Sequence, residues 1–295
     1  MKISCPNCHS ESSLYFQSKD YNRRISRELF SHYRCSQCEL IFISPIPDNL
    51  TDYYPETYHF IPDSGEYLEA ASMQESYKIE LVQRFIHSGR LLEIGPSYGT
   101  FTYLAKKAGF EVEAIEMDIK CCQFLDSVVG VNAINSSDPV SVLQKSKPYD
   151  VIVLWHVIEH LSDPWEILNA IYDGLNPGGI VVLAAPNPDS FQFRVMGRYW
   201  PHVDAPRHLM LIPMKLLVRK LEEKEMQEEL VTTTDKGSIG WNTFGWEFFF
   251  TNFSSYPYIK RVLRLIGRLA SILFGPIEKT ECKGSAYTII FRKKV

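Results

Sequence analysis

The stretch Arg90-Leu91-Leu92-Glu93-Ile94-Gly95-Pro96-Ser97-Tyr98-Gly99-Thr100-Phe101 decides the fold. Leu91 to Ile94 is a short apolar run of the kind that forms a strand buried on both faces of a parallel sheet. The run breaks at Gly95, turns tightly to Gly99 and enters a helix with apolar positions Phe101, Leu104 and Ala105. A strand, a glycine loop and a helix in that order let a ligand press against bare backbone at a helix N-terminus. The spacing is Gly-x-x-x-Gly, whereas a pyrophosphate on a helix end calls for Gly-x-Gly-x-x-Gly. The next apolar segment, Val112 to Ile115, closes on Glu116, 21 positions after Gly95. A carboxylate at that place can take both hydroxyls of a ribose. A nucleoside without a pyrophosphate fits the arrangement.

Further along, Tyr149-Asp150-Val151-Ile152-Val153-Leu154 forms another apolar run and leads into Trp155-His156-Val157-Ile158-Glu159-His160-Leu161. His156, Glu159 and His160 share one face if that segment turns helical. After it come Asp163-Pro164, then Leu175-Asn176-Pro177-Gly178-Gly179-Ile180-Val181-Val182 and Ala185-Pro186-Asn187. A His-x-x-Glu-His string also occurs in inverted zinc proteases. There it lies within a long helix, whereas here it caps a strand.

Taken in order, these motifs resemble the class I S-adenosylmethionine-dependent methyltransferases, and among them the small-molecule enzymes related to quinone-biosynthesis O-methyltransferases. The likeness covers about residues 75–235 and the final strand. It implies an α/β fold, a Rossmann-like seven-stranded methyltransferase sheet, with S-adenosylmethionine as methyl donor. Glu93, Gly95, Pro96, Ser97, Tyr98 and Gly99 would bracket the methionine portion of that donor, and Glu116 would hold the ribose. Met117 would flank the adenine, Ser137 or Asp138 would meet its exocyclic amine, and Trp155 would stand at the pocket edge. In the related quinone enzymes the segment after the fourth strand carries Glu, Glu and His, which bind a divalent metal. This chain keeps Glu159 and His160 and has His156 in place of the first acid, which makes His156 a candidate base. A second cluster, Tyr199-Trp200-Pro201-His202-Val203-Asp204-Ala205-Pro206-Arg207-His208-Leu209, falls in the loop that covers the acceptor in this fold. His208 with Asp204 would form a base and its orienting acid, and Arg207 would bind an anionic acceptor group.

The core alternates strands near 91–94, 111–116, 131–134, 150–155 and 179–185 with helices near 100–108, 119–127, 139–145, 164–174 and 213–224. Such alternation predicts a parallel sheet with its ligand at the strand C-termini. A helix over Ser72 to Ile86 leads in, and Glu228 to Thr234 and Ala286 to Arg292 would be the last two strands, which the resemblance implies form a hairpin with one strand antiparallel. Between those last strands lies a helical insertion, residues 236–284.

Residues 1–45 read as a separate unit. Cys5-Pro6-Asn7-Cys8 and Cys35-Ser36-Gln37-Cys38 are two Cys-x2-Cys knuckles with 26 residues between them. Four thiolates from two tight turns suit tetrahedral zinc, so Cys5, Cys8, Cys35 and Cys38 predict a small N-terminal zinc ribbon. Residues 46–74 form a connector rich in aromatics (Tyr53, Tyr54, Tyr58, His59, Phe60). These would line the substrate entrance or pack ribbon on catalytic domain, residues 75–295.

The 295 residues are 45% hydrophobic, ordinary for a globular chain, and the net charge of −4 argues against a surface that grips nucleic acid throughout. The first residues hold no apolar h-region, so the chain reads as cytoplasmic. From Tyr256 to Val295, however, nine Lys or Arg face two acids. Within that region Val262, Leu263, Leu265, Ile266, Leu269, Ile272 and Leu273 recur at helical spacing among Lys260, Arg261, Arg264 and Arg268. A basic amphipathic helix over 256–275 can lie on an anionic membrane, make a dimer contact or cover a greasy substrate. The functional expectation is a methyltransferase acting on a small-molecule acceptor, with oxygen favoured and sugars, quinone-like or lipid-linked intermediates all open. Its rivals are an RNA methyltransferase and a non-catalytic cofactor-binding adaptor. Residues 1–45 hold six Lys or Arg against four acids, a weak balance for RNA.

Overall fold

The computed structural model describes residues 2–55, 58–62 and 64–295. Met1 of the ribbon and Glu56, Thr57 and Asp63 of the connector lie outside the described residues. The ribbon contributes β1 (Lys2–Ser4), β2 (Glu11–Ser18), β3 (Phe30–Cys35) and β4 (Ile41–Ile43). Two helices follow, α1 (Gly65–Gln74) and α2 (Ser76–Gln83). They replace the single helix expected over 72–86 because Glu75 leaves helical geometry at φ −104°, ψ 13°. Its carboxylate accepts from Lys78 Nζ at 2.7 Å and from Thr100 Oγ1 at 2.8 Å, at the start of the helix after the glycine loop.

The alternating core is β5 (Arg90–Ile94), α3 (Thr100–Lys107), β6 (Glu111–Glu116), α4 (Ile119–Phe124), β7 (Asn132–Asn135), α5 (Pro139–Lys145), β8 (Tyr149–Trp155), α6 (Pro164–Gly174) and β9 (Leu175–Pro186). Local chemistry sets several starts. Asp163 accepts from the Trp165 and Glu166 amides with Pro164 in the first turn of α6, and Asp118 accepts from the Lys120 amide ahead of α4. Next come α7 (Phe191–Met196), β10 (Met210–Leu211), α8 (Met214–Glu222), β11 (Gln227–Thr232), α9 (Lys236–Thr251), α10 (Pro257–Glu278) and β12 (Ala286–Arg292).

The large sheet runs β11-β12-β9-β8-β5-β6-β7, parallel except for β12, which is antiparallel to both its neighbours. Strand order reverses between β5 and β8, so the loops after them diverge and leave a crevice at their C-terminal ends. Apolar clusters cover both faces of this sheet. The ribbon does not stand apart as the sequence suggested. Its sheet runs β1-β2-β3-β4-β10, so Met210 pairs with Phe42 and Leu211 with Ile41.

Candidate active site

Gly95 (φ +70°) and Gly99 (φ +86°) turn the loop after β5 through the left-handed region, where a side chain is strained. A Cβ on Gly95 would come within 2.7 Å of Val157 Cγ2, so the missing side chain lets the glycine loop touch the segment after β8. Glu116, at the end of β6, is buried and already aligned by main chain. Its carboxylate accepts from the Ser97 and Asp118 amides, both at 2.9 Å. Glu93 is buried one strand over and accepts from Thr102. Burial pushes its carboxyl up to about 7, against that hydrogen bond and the Lys78 charge. Trp155 stands edge-on to Phe101 at 5.6 Å, and its buried indole N–H has no partner among the described residues. The connector folds over this loop, with His59 Nδ1 2.9 Å from Ser97 Oγ and the Phe60 ring 6.3 Å from that of Tyr98. Met117 is half-exposed, and Asp138 is committed to the end of α5, where it accepts from the Ser141 amide. A loop bare of side chains at Gly95 and Gly99, a fixed carboxylate on the neighbouring strand and a buried indole donor without a partner among the described residues fit S-adenosylmethionine.

Across the crevice, the segment after β8 assembles a histidine cluster. His156 sits at φ +58°, its amide donating to Ala184 O at 2.9 Å, and its ring lies 4.7 Å from Trp241 of α9. Its Nδ1 is 3.6 Å from Glu159 Oε1. The Glu159 side chain is 1% exposed, and neither oxygen has a hydrogen-bond partner among the described residues. Burial alone would raise its pKa, but His156, His208 and His160 around it hold the carboxyl down at about 2. His202 is buried beside them, with Nε2 lacking a partner among the described residues and its own pKa pushed well down by burial and by His156.

Two expectations for the 199–209 loop change. His208 is not oriented by Asp204, which stays 4.0 Å from its Nε2. Instead His208 Nδ1 meets His202 O at 2.7 Å. Arg207 is unavailable to an acceptor. It is fully buried, donating to Asp204 through Nε and Nη2 and to Asp20 of the ribbon at 2.7 Å. Asp20 escaped sequence reading because it sits in no motif, and Trp241 stands out in the sequence only as one aromatic of the insertion, with nothing to tie it to His156. Tyr54 had been singled out only as a connector aromatic, yet its hydroxyl lies 3.1 Å from His160 Nδ1.

In the ribbon, the Cys5, Cys8, Cys35 and Cys38 thiols cluster, with Sγ separations of 3.4 Å (Cys8 to Cys35) and 3.6 Å (Cys5 to Cys38, Cys8 to Cys38). Tetrahedral zinc–thiolate bonds would place sulfurs about 3.8 Å apart. Amides of Asn7 and Gln37 point at Cys5 and Cys35 Sγ at 3.4 Å, as thiolates require. The donor set fits zinc.

Comparison with known proteins agrees with this geometry. A methyltransferase domain family model matches residues 69–223, just over half of the chain. The ubiquinone biosynthesis O-methyltransferase of Bordetella avium is 25% identical over 130 residues, covering 41% of this chain and 54% of that one. Its counterpart in Bordetella bronchiseptica is 29% identical over 115 residues, covering 37% and 48%. The chain thus spans about half the length of the curated relatives it matches. Among solved structures, an S-adenosylmethionine-dependent methyltransferase from Archaeoglobus fulgidus superposes with a TM-score of 0.52 at 19% identity, over 75% of this chain and 94% of that one, and shares the fold. By its family match, sheet order and glycine loop, the chain belongs to the methyltransferase domain family, the class I S-adenosylmethionine-dependent methyltransferases.

Proposed function

We propose that the protein transfers a methyl group from S-adenosylmethionine to an oxygen of a small-molecule acceptor. The observation that carries this reading is the close approach of the glycine loop to the segment after β8, Gly95 against the Val157 side chain, with the His156–Glu159 pair flanking Val157 in sequence. Glu93, Gly95, Pro96, Ser97, Tyr98, Gly99 and Trp155 would hold the methionine portion of the donor, Glu116 the ribose, and Met117 with Ser137 the adenine. Bound there, the donor supplies a methyl group on an already activated sulfonium. The protein's own work is then alignment and removal of one proton. His156 Nε2 takes the acceptor's hydroxyl proton, and Glu159, buried and ionised 3.6 Å from Nδ1, balances the imidazolium charge. Trp241 packs against that ring, and His208 Nε2 lies 4.0 Å from the same Glu159 oxygen. The assignment to a small oxygen nucleophile rests on the ubiquinone O-methyltransferase relatives.

The test uses methyl-labelled donor and a low-molecular-mass cell extract. Label is expected in the small-molecule fraction, falling about 10²–10⁴-fold in His156→Ala while donor affinity by calorimetry is kept. Glu116→Ala should lose donor binding itself. Label in RNA instead, or full turnover by His156→Ala, overturns the reading.

Zinc in the ribbon belongs to the same proposal. One further observation favours a second ion. His160 Nδ1 and His208 Nδ1 each meet a main-chain carbonyl, Arg207 O at 3.0 Å and His202 O at 2.7 Å. A carbonyl accepts only, so each ring turns an Nδ1–H to the main chain, and a cation taking the place of the Nε2 proton would find a lone pair on each ring. Ligand atoms of Glu159, His160 and His208 lie within 4.8 Å of one another. Two imidazoles and a carboxylate fit a divalent transition metal better than magnesium. A cation there would acidify an acceptor hydroxyl.

A further inference from the structure

α10 is 22 residues long, about 33 Å at helical rise. It docks on α9 by a narrow strip. Gly267 lies so close that a Cβ would meet Glu247 Cα at 2.6 Å, Ser271 bonds Thr243 at 3.0 Å, and Phe274 stacks on Trp246 at 5.1 Å. The opposite side is apolar and open. Leu269, Ile272 and Leu273 are 65%, 74% and 71% exposed, continued by Val262, Leu265 and Ile266. Monomeric soluble surfaces rarely leave such a stripe bare. Lys260, Arg261, Arg264 and Arg268 border it, all exposed. Arg264 and Arg268 reach Glu247 of α9, while Lys260 and Arg261 join no ion pair among the described residues. The helix's own acid, Glu278, is buried and bonded to Gln192 and Trp246, so the open face carries cations and no anion.

A second feature adjoins the N-terminal end of this helix. A cleft of about 510 Å³ separates the ribbon from the end of α9, lined by Lys19, Arg24, Arg27, Phe249 and Phe253 and by Asp20, whose buried carboxylate is already paired with Arg207. Arg24 Nη2 donates to Asn252 O at 3.1 Å and ties the ribbon loop to the α9–α10 turn. Exposed Phe253 and Tyr256 lie on that turn, Tyr258 and Ile259 in the first turn of α10, and Ile25 and Leu29 on the ribbon loop. Aromatic and aliphatic side chains beside a basic cleft match the boundary between acyl chains and headgroups.

We infer that the exposed face of α10, together with the Lys19–Arg24–Arg27 cleft, is a docking surface for an anionic lipid bilayer. The helix lies in the interface plane with Leu265, Leu269, Ile272 and Leu273 among acyl chains, and the bases meet lipid phosphates. A second copy of this chain is disfavoured on this face, because pairing it would set like charges against each other with no exposed acid of the helix between them. No helix among the described residues is long and apolar enough to cross a membrane, so the contact is peripheral.

The test is cosedimentation of the zinc-loaded full chain with vesicles. Binding is expected on phosphatidylcholine–phosphatidylglycerol vesicles, weakening as salt rises, and much less on phosphatidylcholine alone. Lys260→Glu/Arg261→Glu should weaken it by about 25-fold or more, from roughly fivefold for each base near an anionic surface. Leu269→Ser/Leu273→Ser should abolish it. Unchanged circular dichroism and donor affinity in both variants establish that neither has lost the fold or the cofactor site. Absence of vesicle binding, or equal and salt-insensitive binding to neutral vesicles, overturns the inference. Absent vesicle binding together with a dimer that Leu269→Ser/Leu273→Ser dissociates assigns the face to a second copy.

Discussion

Single residues divide into those whose role a motif announces and those whose role depends on distant chain. Gly95 and Glu116 belong to the first kind. The turn demands one and the strand end places the other, and both constraints are local. Glu93 was legible as part of the loop, but its burial was not. That burial raises its carboxyl from an ordinary 4.5 to about 7. Between those values the folded chain keeps a proton that the unfolded chain releases, so folding is favoured below about 4.5 and that advantage is lost as pH rises through 7. The loss is on the order of 3 kcal/mol. Urea unfolding of the cofactor-free protein should therefore show wild type weakening relative to Glu93→Gln between pH 5 and pH 8, on the order of that amount. Parallel pH profiles for the two proteins would refute the assignment. Arg207 is the second kind of residue. As text it is a cation in a covering loop, and the Asp20 that neutralises it lies 187 positions away.

At the scale of elements, periodicity carries far. The parallel strands and the helices between them lie where alternation of apolar runs puts them, and the last two strands pair antiparallel as the resemblance implies. Misreadings fall where one side chain overrides the pattern, as at Glu75, which ends α1 to bond Thr100. The cysteine knuckles are legible for another reason. Tetrahedral thiolate coordination fixes a spacing that survives in the sequence. The acceptor-side cluster has no such spacing, since Glu159 and His160 follow β8 while His208 arrives from beyond β9. Metal analysis separates the two sites. About one zinc per chain is expected, lost in Cys35→Ser. Manganese added to the zinc-loaded protein should give a bound paramagnetic resonance signal, absent in Glu159→Gln and kept in His156→Ala. An unchanged manganese signal in Glu159→Gln would remove the second ion.

Across the whole molecule, the ribbon and the methyltransferase sheet are joined by chemistry that costs much to break. Arg207 has no exposed surface and meets two carboxylates, one from each side of the junction. Arg207→Ala would strand both charges, a loss of roughly 3–5 kcal/mol. Chemical unfolding should show it as a lowered midpoint, with the ribbon and the core coming apart in separate steps. A midpoint equal to wild type would mean that the junction carries no load. Division into residues 1–45 and a catalytic remainder describes the order of the chain better than its mechanics.

The two-residue strand β10 gives that junction a further meaning. It starts two positions after His208 and pairs with β4, and β4 follows the second cysteine knuckle by three residues. On the proposed assignments, the loop that carries His208 hangs from the cysteine ribbon through β10 as well as from the segment after β8, where Leu209 N donates to Glu159 O at 2.8 Å. If the four cysteines hold zinc as proposed, oxidation of their sulfurs or loss of the ion would loosen the ribbon side of that loop before it reached the glycine loop. Such a protein would go on sequestering methyl donor after it had stopped spending it.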